Sequence, residues 1–159
     1  TRVLKGHIAV FNTDLNKVNT GDAIDKRART FLKKVNLDYS HGTGHGVGYF
    51  LNVHEGPQSI SKFNSVDLRE GMILSNEPGY YEEGKFGVRI ENLIYVKKEK
   101  NKLKFKNLTM APLDSDLINK KLLNSKELNY LLGYNREVYN NLSRFLNKKE
   151  RAWLINSSQ

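Results

Sequence analysis

The sequence contains no cysteine, three prolines and one tryptophan among its 159 residues. Without cysteine, the chain can form no disulfide bond, no thiolate metal site and no cysteine nucleophile. Its apolar runs are also short, and none approaches the roughly 20 residues that a membrane-spanning helix requires. We therefore expect no membrane partner, and the lack of thiols is compatible with a cytoplasmic location.

Acidic residues are scarce relative to basic ones: 17 Asp and Glu stand against 26 Lys and Arg, a net charge of +9. A charge of this size makes a nucleic-acid partner worth considering. The densest basic segment, KKEKNKLKFK at 97–106, alternates lysine with Leu103 and Phe105, as a half-exposed strand does. No helix-turn-helix, zinc-finger or RNP motif accompanies it. We interpret the segment as the solvated face of a strand and expect no nucleic-acid partner.

The common glycine-rich nucleotide motifs are also missing, although glycine is concentrated in HGTGHGVGYFLNVHEGP at 41–57. Neither Gly-x-Gly-x-x-Gly nor Gly-Lys-Ser/Thr occurs there. His41 and His45 have the spacing of a zincin helix, but Gly42 stands where zincins need glutamate. Four alternate glycines also disfavour a helix. We expect a strand or tight loop, with its imidazoles projecting into a glycine-lined crevice.

The hydrophobic periodicity predicts helices, then strands, then helices, an order typical of the α+β class. The predicted elements, in chain order, are a helical tail within 1–17, a helix after Thr20-Gly-Asp22, strands at 72–77, 86–96 and 103–110, and helices at 116–124 and 126–146. His7, on the first helix, is expected at the surface. We predict two domains, 1–112 and a helical extension at 113–159.

Two glutamates, Glu77 and Glu91, are symmetric about Gly84 in the predicted turn at 82–85. A hairpin centred on Gly84 puts their carboxylates opposite each other, and like charges at such positions destabilise a strand pair. The repulsion is removed if both side chains face water, if one is protonated, or if a cation lies between them. Arg89, which alternates onto the face of Glu91, could instead pair with a carboxylate.

The flanking residues favour a bound cation over simple exposure. The two strands are apolar on both faces through Met72, Ile73, Leu74, Val88, Ile90, Leu93, Ile94 and Val96. A strand buried on both faces rarely carries an unpaired carboxylate. Three of the four histidines lie in the neighbouring 41–57 segment. One histidine with two carboxylates suits manganese, iron, cobalt or zinc, so we predict a metal site here.

In their order and spacing, HGTGHGVG…NVHEGP, NEPGYY and VRIEN resemble the catalytic domain of the Xaa-Pro aminopeptidases, metallopeptidases with the pita-bread fold. The similarity is closest to the cytosolic, eukaryotic-type branch and extends from VLKGHIAV at 3–10 to AWLI at 152–155. It implies a partial pita-bread fold, in which a mixed or antiparallel sheet is covered by helices. The activity implied is hydrolysis of the N-terminal Xaa-Pro bond. A proline dipeptidase and a non-catalytic pita-bread interaction module are the alternatives.

In that family two divalent metal ions, typically manganese, are bound by two Asp, one His and two Glu residues. Position by position, the resemblance implies that His45, Glu77 and Glu91 are the ligands in this chain. Glu91 would bridge both ions, and Glu77 would also be the catalytic general base. Zinc and cobalt are the alternative metals.

The resemblance further implies roles for residues around the metals. His54 would bind the substrate carbonyl and act as a catalytic residue by stabilising the tetrahedral intermediate. His41 and Tyr80 would contribute to the substrate pocket, which accepts peptides with proline in the second position. Tyr81 and Arg89 would orient the ligands and tune their basicity.

The two aspartates of the family precede VLKGH, whereas this chain begins at Thr1-Arg2. We therefore expect an upstream half of the same protein to supply both aspartates. The isolated chain, with three of five ligands, is expected to be inactive. The resemblance also implies a homodimer, with the helices at 116–155 as part of the subunit interface.

Overall fold

The computed structural model describes residues 1–50 and 52–157. Its elements are α1 (Arg2–Phe11), α2 (Gly21–Lys33), β1 (Gly44–His45), β2 (Ser59–Ile60), β3 (Ile73–Asn76), β4 (Gly79–Glu82), β5 (Phe86–Arg89), β6 (Asn92–Glu99), β7 (Lys102–Asn107), α3 (Ser125–Leu142) and α4 (Lys148–Asn156). This composition confirms the α+β class. Leu51, in the apolar part of the glycine-rich 41–57 segment, lies outside the described residues.

The chain forms two compact units that divide between Leu108 and Thr109. Residues 2–108 form one unit, and Thr1 together with the residues from Thr109 onward forms the other. The boundary that we predict after residue 112 remains a prediction.

The first helix is shorter than the predicted tail and ends at Phe11. Its buried face, which includes Leu4 and Ile8, packs against α2. The Thr13 side chain hydrogen-bonds back to the Ala9 carbonyl (2.9 Å). The backbone N–H of Thr13 bonds to the Val10 carbonyl (3.1 Å), so the helix closes there with a tighter three-residue turn.

His7 is fully buried, so the prediction of a surface position was wrong. It lies on the face of α1 that carries Leu4 and Ile8 and that packs inward. Burial lowers the pKa of His7 to about 4, and the backbone of Ile90 and Asn76 offsets only part of that effect. Within the described residues, neither ring nitrogen has a well-aligned hydrogen-bond partner.

The strands of the described residues form three small sheets, which confirms the expected antiparallel pairing. They pair as β1–β2, β3–β6–β7 and β4–β5, and each of these pairings is antiparallel. The hydrophobic core of the unit formed by residues 2–108 lies between helices α1 and α2 and the β3–β6–β7 sheet. Its fully buried members are Val10, Leu15, Ile24, Ala28, Ile60, Leu68, Leu74, Ile94, Val96 and Phe105.

The predicted strand at 86–96 is broken at Ile90-Glu91 into β5 and β6, and β4 was not predicted at all. Burial on both faces is confirmed for most of β3 but is wrong for β5, which is largely exposed. Phe86 of β5 is 53% exposed. Residues 74–79 are buried, so the prediction that the segment 72–77 contains a buried strand is confirmed for most of its length.

The helical unit is held by α3 and α4, each of which begins with an asparagine capping box. The Tyr134 hydroxyl of α3 donates to the Ala111 carbonyl (2.7 Å). The predicted helix at 116–124 reduces to a 3-10 turn at Lys120–Leu122, whereas α3 covers most of the predicted 126–146 helix. Among the described residues, no helix is both long and apolar enough to cross a membrane.

Candidate metal centre

One histidine and two glutamates converge in the larger unit. His45, Glu77 and Glu91 each offer one ligand atom, and the three atoms lie within 4.8 Å of one another. His45 is half-buried at the end of β1, Glu77 is buried, and Glu91 is exposed. The apolar flanking residues had argued against simple exposure of the two carboxylates, and Glu91 is nevertheless exposed.

The strand register explains why the two glutamates meet. Asn76 pairs with Asn92 in the β3–β6 ladder, and Gly79 pairs with Arg89 in the β4–β5 ladder. Both ladders have the register of a hairpin centred on Gly84. Glu77 and Glu91 fill the interruption between the ladders, at opposing positions. Pro78 lies in this gap, where its missing N–H removes a ladder hydrogen bond.

The Glu77 carboxylate is fixed from several directions. Ser75 donates its hydroxyl to Glu77 Oε1 (2.8 Å), and the same hydroxyl oxygen accepts the backbone N–H of His45 (2.9 Å). The backbone N–H of Glu77 donates to the Thr43 carbonyl (2.8 Å). The glutamate is therefore positioned by both the strand that carries it and the glycine-rich segment.

The His45 ring presents Nε2 to this carboxylate. Its Nδ1 lies 3.1 Å from the Gly46 carbonyl, which can only accept, so Nδ1 is the donor of this hydrogen bond. The other ring nitrogen, Nε2, faces Glu77 Oε1 at 3.3 Å. An imidazole nitrogen and a carboxylate oxygen in this arrangement can hold a proton or a metal cation between them. Gly44 allows the approach, since a Cβ there would lie 1.9 Å from the Ser75 carbonyl oxygen.

A second chain of hydrogen bonds runs from Arg89 to His41. Arg89 Nε donates to the Tyr81 hydroxyl (2.8 Å), which in turn donates to His41 Nε2 (2.9 Å). His41 Nδ1 donates to the Gly42 carbonyl (2.7 Å). The hydrogen bond to Tyr81, with the nearby carboxylates, raises the pKa of Arg89, which stays cationic.

Arg89 forms a long ion pair with Glu77, the arrangement that the sequence offered as an alternative to a bound cation. Its Nη1 lies 3.6 Å from Glu77 Oε2, with 44% of the arginine side chain exposed. An ion pair of this length, with its arginine exposed, contributes little stabilisation. It therefore leaves room for a cation at the cluster, whose imidazole and carboxylate donors fit manganese, iron, cobalt or zinc.

A cleft of about 340 Å³ opens at this cluster and is lined by His41, Gly42, Gly44, His45, His54, Glu77 and Arg89. The His54 ring centroid lies 4.2 Å from that of His45. Tyr80 is absent from the lining. Its ring packs instead against a buried cluster that contains Leu32 and Tyr39, so the structure does not bring Tyr80 to the cleft.

Sequence reasoning missed several residues that support the cluster. The role of Ser75 was not predicted, because a single serine in a strand belongs to no recognisable motif. Asp25 and Arg29 were missed although a signal existed, since they lie four residues apart on the apolar face of α2. A charged pair on a buried helix face indicates a buried network.

A histidine and two glutamates around a cleft, on paired antiparallel strands, are typical of metal-dependent hydrolases. The chain belongs to Metallopeptidase family M24: residues 1–98 match that family, and residues 101–159 match the C-terminal region of peptidase M24. The predicted family is thereby confirmed, and the fold is part of the pita-bread fold.

Curated relatives extend the similarity to most of the chain. An uncharacterized peptidase of Schizosaccharomyces pombe is 47% identical over 165 residues, which cover 97% of this chain and 28% of the relative. A probable Xaa-Pro aminopeptidase P of Fusarium vanettenii is 52% identical over 149 residues, covering 87% and 24%. The chain thus spans about a quarter of the length of these relatives.

Solved structures of peptidases are also similar to this chain. The X-prolyl aminopeptidase of Caenorhabditis elegans, described as a cytosolic enzyme with a di-nuclear active site, matches with a TM-score of 0.90 and 36% identity, over 100% of this chain and 28% of that one. The prolidase of Pyrococcus furiosus matches with a TM-score of 0.61 and 30% identity, over 70% and 32%.

Proposed function

We propose that the chain is the C-terminal portion of a metal-dependent aminopeptidase that hydrolyses the N-terminal Xaa-Pro bond of peptides. The convergence of ligand atoms from His45, Glu77 and Glu91 within 4.8 Å carries this proposal. The set suits manganese, with zinc or cobalt as alternatives. The di-nuclear site of the similar C. elegans enzyme supports two ions.

Two bound cations would make hydroxide available near neutral pH and polarise the scissile carbonyl. Glu77, held by Ser75, is positioned to accept the proton of the attacking water at a carboxylate oxygen. His54 lies in the same cleft and donates a ring N–H to the developing oxyanion. His41, fixed by the Tyr81 hydroxyl, lines the substrate side of the cleft.

The curated relatives favour an aminopeptidase over a proline dipeptidase, since the Fusarium vanettenii relative, 52% identical, is a probable Xaa-Pro aminopeptidase P. Coverage alone does not separate the two classes: the prolidase and the X-Pro aminopeptidase of Thermotoga maritima each cover 70% of the chain, whereas the C. elegans aminopeptidase match covers all of it. The additional part includes the helical unit, which corresponds to the C-terminal region of peptidase M24 at 101–159.

We also propose that an upstream half of the same protein supplies two aspartate ligands and that the enzyme is a cytosolic homodimer. The cytosolic character of the C. elegans enzyme supports the location. The helical unit exposes Leu132, Phe145 and Trp153 by 62%, 71% and 61%, which supports a protein interface there.

The test uses the full-length protein, stripped of metal and titrated with Mn²⁺ by calorimetry, with cleavage of Ala-Pro-Ala and Ala-Pro followed by mass spectrometry. Glu91→Ala should abolish Mn²⁺ binding and cleavage together, because the site would lose one of the three ligands that this chain would supply. Glu83→Ala, which removes an exposed glutamate in the β4–β5 turn, is the matched control and should preserve both.

Release of alanine from the tripeptide by the parent protein supports the aminopeptidase. Cleavage confined to the dipeptide would support a proline dipeptidase. Full Mn²⁺ occupancy in the Glu91→Ala variant would overturn the ligand assignment.

A further inference from the structure

Arg29 of α2 is an almost fully buried cation, 2% exposed, and its donors converge on one segment. Its Nε donates to Asp25 (2.8 Å), and Nη1 donates to Asp38 (2.8 Å) and to the Tyr39 carbonyl (2.7 Å). Nη2 donates to the His41 carbonyl (2.6 Å). One guanidinium therefore ties the helix to residues 38–41, the approach to the glycine-rich segment.

Asp25, itself 1% exposed, extends this network to Thr43. The Thr43 hydroxyl donates to Asp25 Oδ1 (2.7 Å), because a carboxylate can only accept. The same hydroxyl oxygen then accepts the Tyr39 O–H. Burial raises the pKa of Tyr39 to about 12, so this phenol retains its proton. Each carboxylate oxygen of Asp25 thus has a donor inside the protein.

Thr43 connects the network to the candidate metal centre through its backbone. Its carbonyl accepts the N–H of Glu77, and two residues later the backbone N–H of His45 donates to the Ser75 hydroxyl. Ser75 in turn donates to the Glu77 carboxylate. A displacement of Thr43 therefore moves the backbone of two candidate ligands.

We propose that the buried network of Arg29, Asp25 and Thr43 positions His45 and Glu77 for metal binding, a role beyond stabilising the fold. The inference deepens the proposed function and rests on it. None of the three side chains contacts the candidate ligand atoms, so they are positioning residues. Groups that hydrogen-bond metal ligands directly typically contribute 10–100-fold to metal affinity, and this network acts through the backbone of Thr43 and Glu77.

The test compares Thr43→Val with Thr43→Ser in the full-length protein. Valine keeps the shape but removes the hydroxyl, which leaves Asp25 Oδ1 without its donor, whereas serine keeps the hydroxyl. Thr13→Val is the matched control, since Thr13 is also buried and donates to a backbone carbonyl of α1. The measurements are the Mn²⁺ dissociation constant, hydrogen exchange of the peptide containing the Glu77 amide, and Tm.

Thr43→Val should raise the Mn²⁺ dissociation constant about 10–100-fold and accelerate exchange at the Glu77 peptide. Thr43→Ser should restore both, and Thr13→Val should lower Tm without changing either. A Thr43→Val protein with lower Tm but unchanged affinity and exchange would overturn the proposal. If the parent protein binds no Mn²⁺, the proposed function fails, and the exchange rate at Glu77 alone decides whether the network positions this residue.

Discussion

Glu77 is the side chain on which most contacts of the candidate metal centre converge. It is buried, it accepts the Ser75 hydroxyl, and it faces His45 Nε2 at 3.3 Å. Its burial, with Arg89 no nearer than 3.6 Å, is the feature that a bound cation explains best. Glu91, by contrast, is exposed. Its assignment as a metal ligand therefore rests on its proximity to Glu77 and His45.

Substitution of His54 should distinguish a catalytic role of this residue from a metal-binding role. If it donates to the oxyanion, His54→Ala should lower turnover of an Xaa-Pro peptide about 10²–10³-fold while leaving metal content intact, as for the loss of one oxyanion donor. Steady-state kinetics and elemental analysis measure the two effects separately. Loss of metal from the variant would make His54 a ligand and contradict the assignment of His45.

His7 predicts a specific pH dependence of stability. Its pKa is about 4 when folded and 6.5 in the unfolded reference, so the unfolded chain binds more protons between these values. Stability should therefore be unaffected by His7 above pH 6.5 and should fall as pH drops toward 4, by about 3 kcal/mol in total.

The measurement is urea unfolding at pH 7 and pH 4 with a chelator present, so that metal release makes no contribution. His7→Leu, which keeps an apolar side chain at this buried site, should lose about 3 kcal/mol less than the parent over this interval. Equal losses in the two proteins would show that His7 does not titrate as a buried neutral group.

The hairpin that carries both glutamates could be predicted because its register follows from symmetry about Gly84. The break at Ile90-Glu91 and the extra strand β4 could not be predicted, because both depend on where the hydrogen bonds between the paired strands are interrupted. The helix predicted at 116–124 failed for a similar reason. Local bonds such as Asp116 N–H to Asp114 (3.0 Å) compete with helix formation.

The candidate ligands were predictable because their residue types are distinctive and lie in short segments. The network behind them was not recognised, since Arg29 reaches residues 38–41 only after α2 and the following loop have folded. His7 was misplaced for a related reason: one turn of α1 does not reveal that its polar residue faces the core. Tertiary packing decided each of these cases.

Helix α3 begins with a capping box that should stabilise it measurably. Asn124 accepts the N–H groups of Lys126 and Glu127 (2.9 and 3.0 Å), and Glu127 accepts the Asn124 N–H (2.8 Å). Asn124→Ala should destabilise the helical unit by about 1 kcal/mol, measured by chemical unfolding. Asn140→Ala, at an exposed interior position of α3, should cause no loss because alanine favours helix.

The chain spans about a quarter of its relatives, which bears on what it can do alone. Three ligands leave two cations under-coordinated, so we expect residues 1–159, expressed alone, to bind Mn²⁺ weakly and to cleave no Xaa-Pro peptide. Calorimetry and mass spectrometry, with the full-length protein as control, measure both. Stoichiometric Mn²⁺ and cleavage by the isolated chain would contradict the proposed contribution of upstream aspartates.

The most direct test of the central claim is a crystal structure of the full-length protein grown with Mn²⁺, with anomalous diffraction recorded at the manganese edge. The account predicts two anomalous peaks in the cleft, with Glu91 bonded to both and His45 Nε2 and Glu77 each bonded to at least one. An empty cleft, or manganese bound only away from these three side chains, would contradict it.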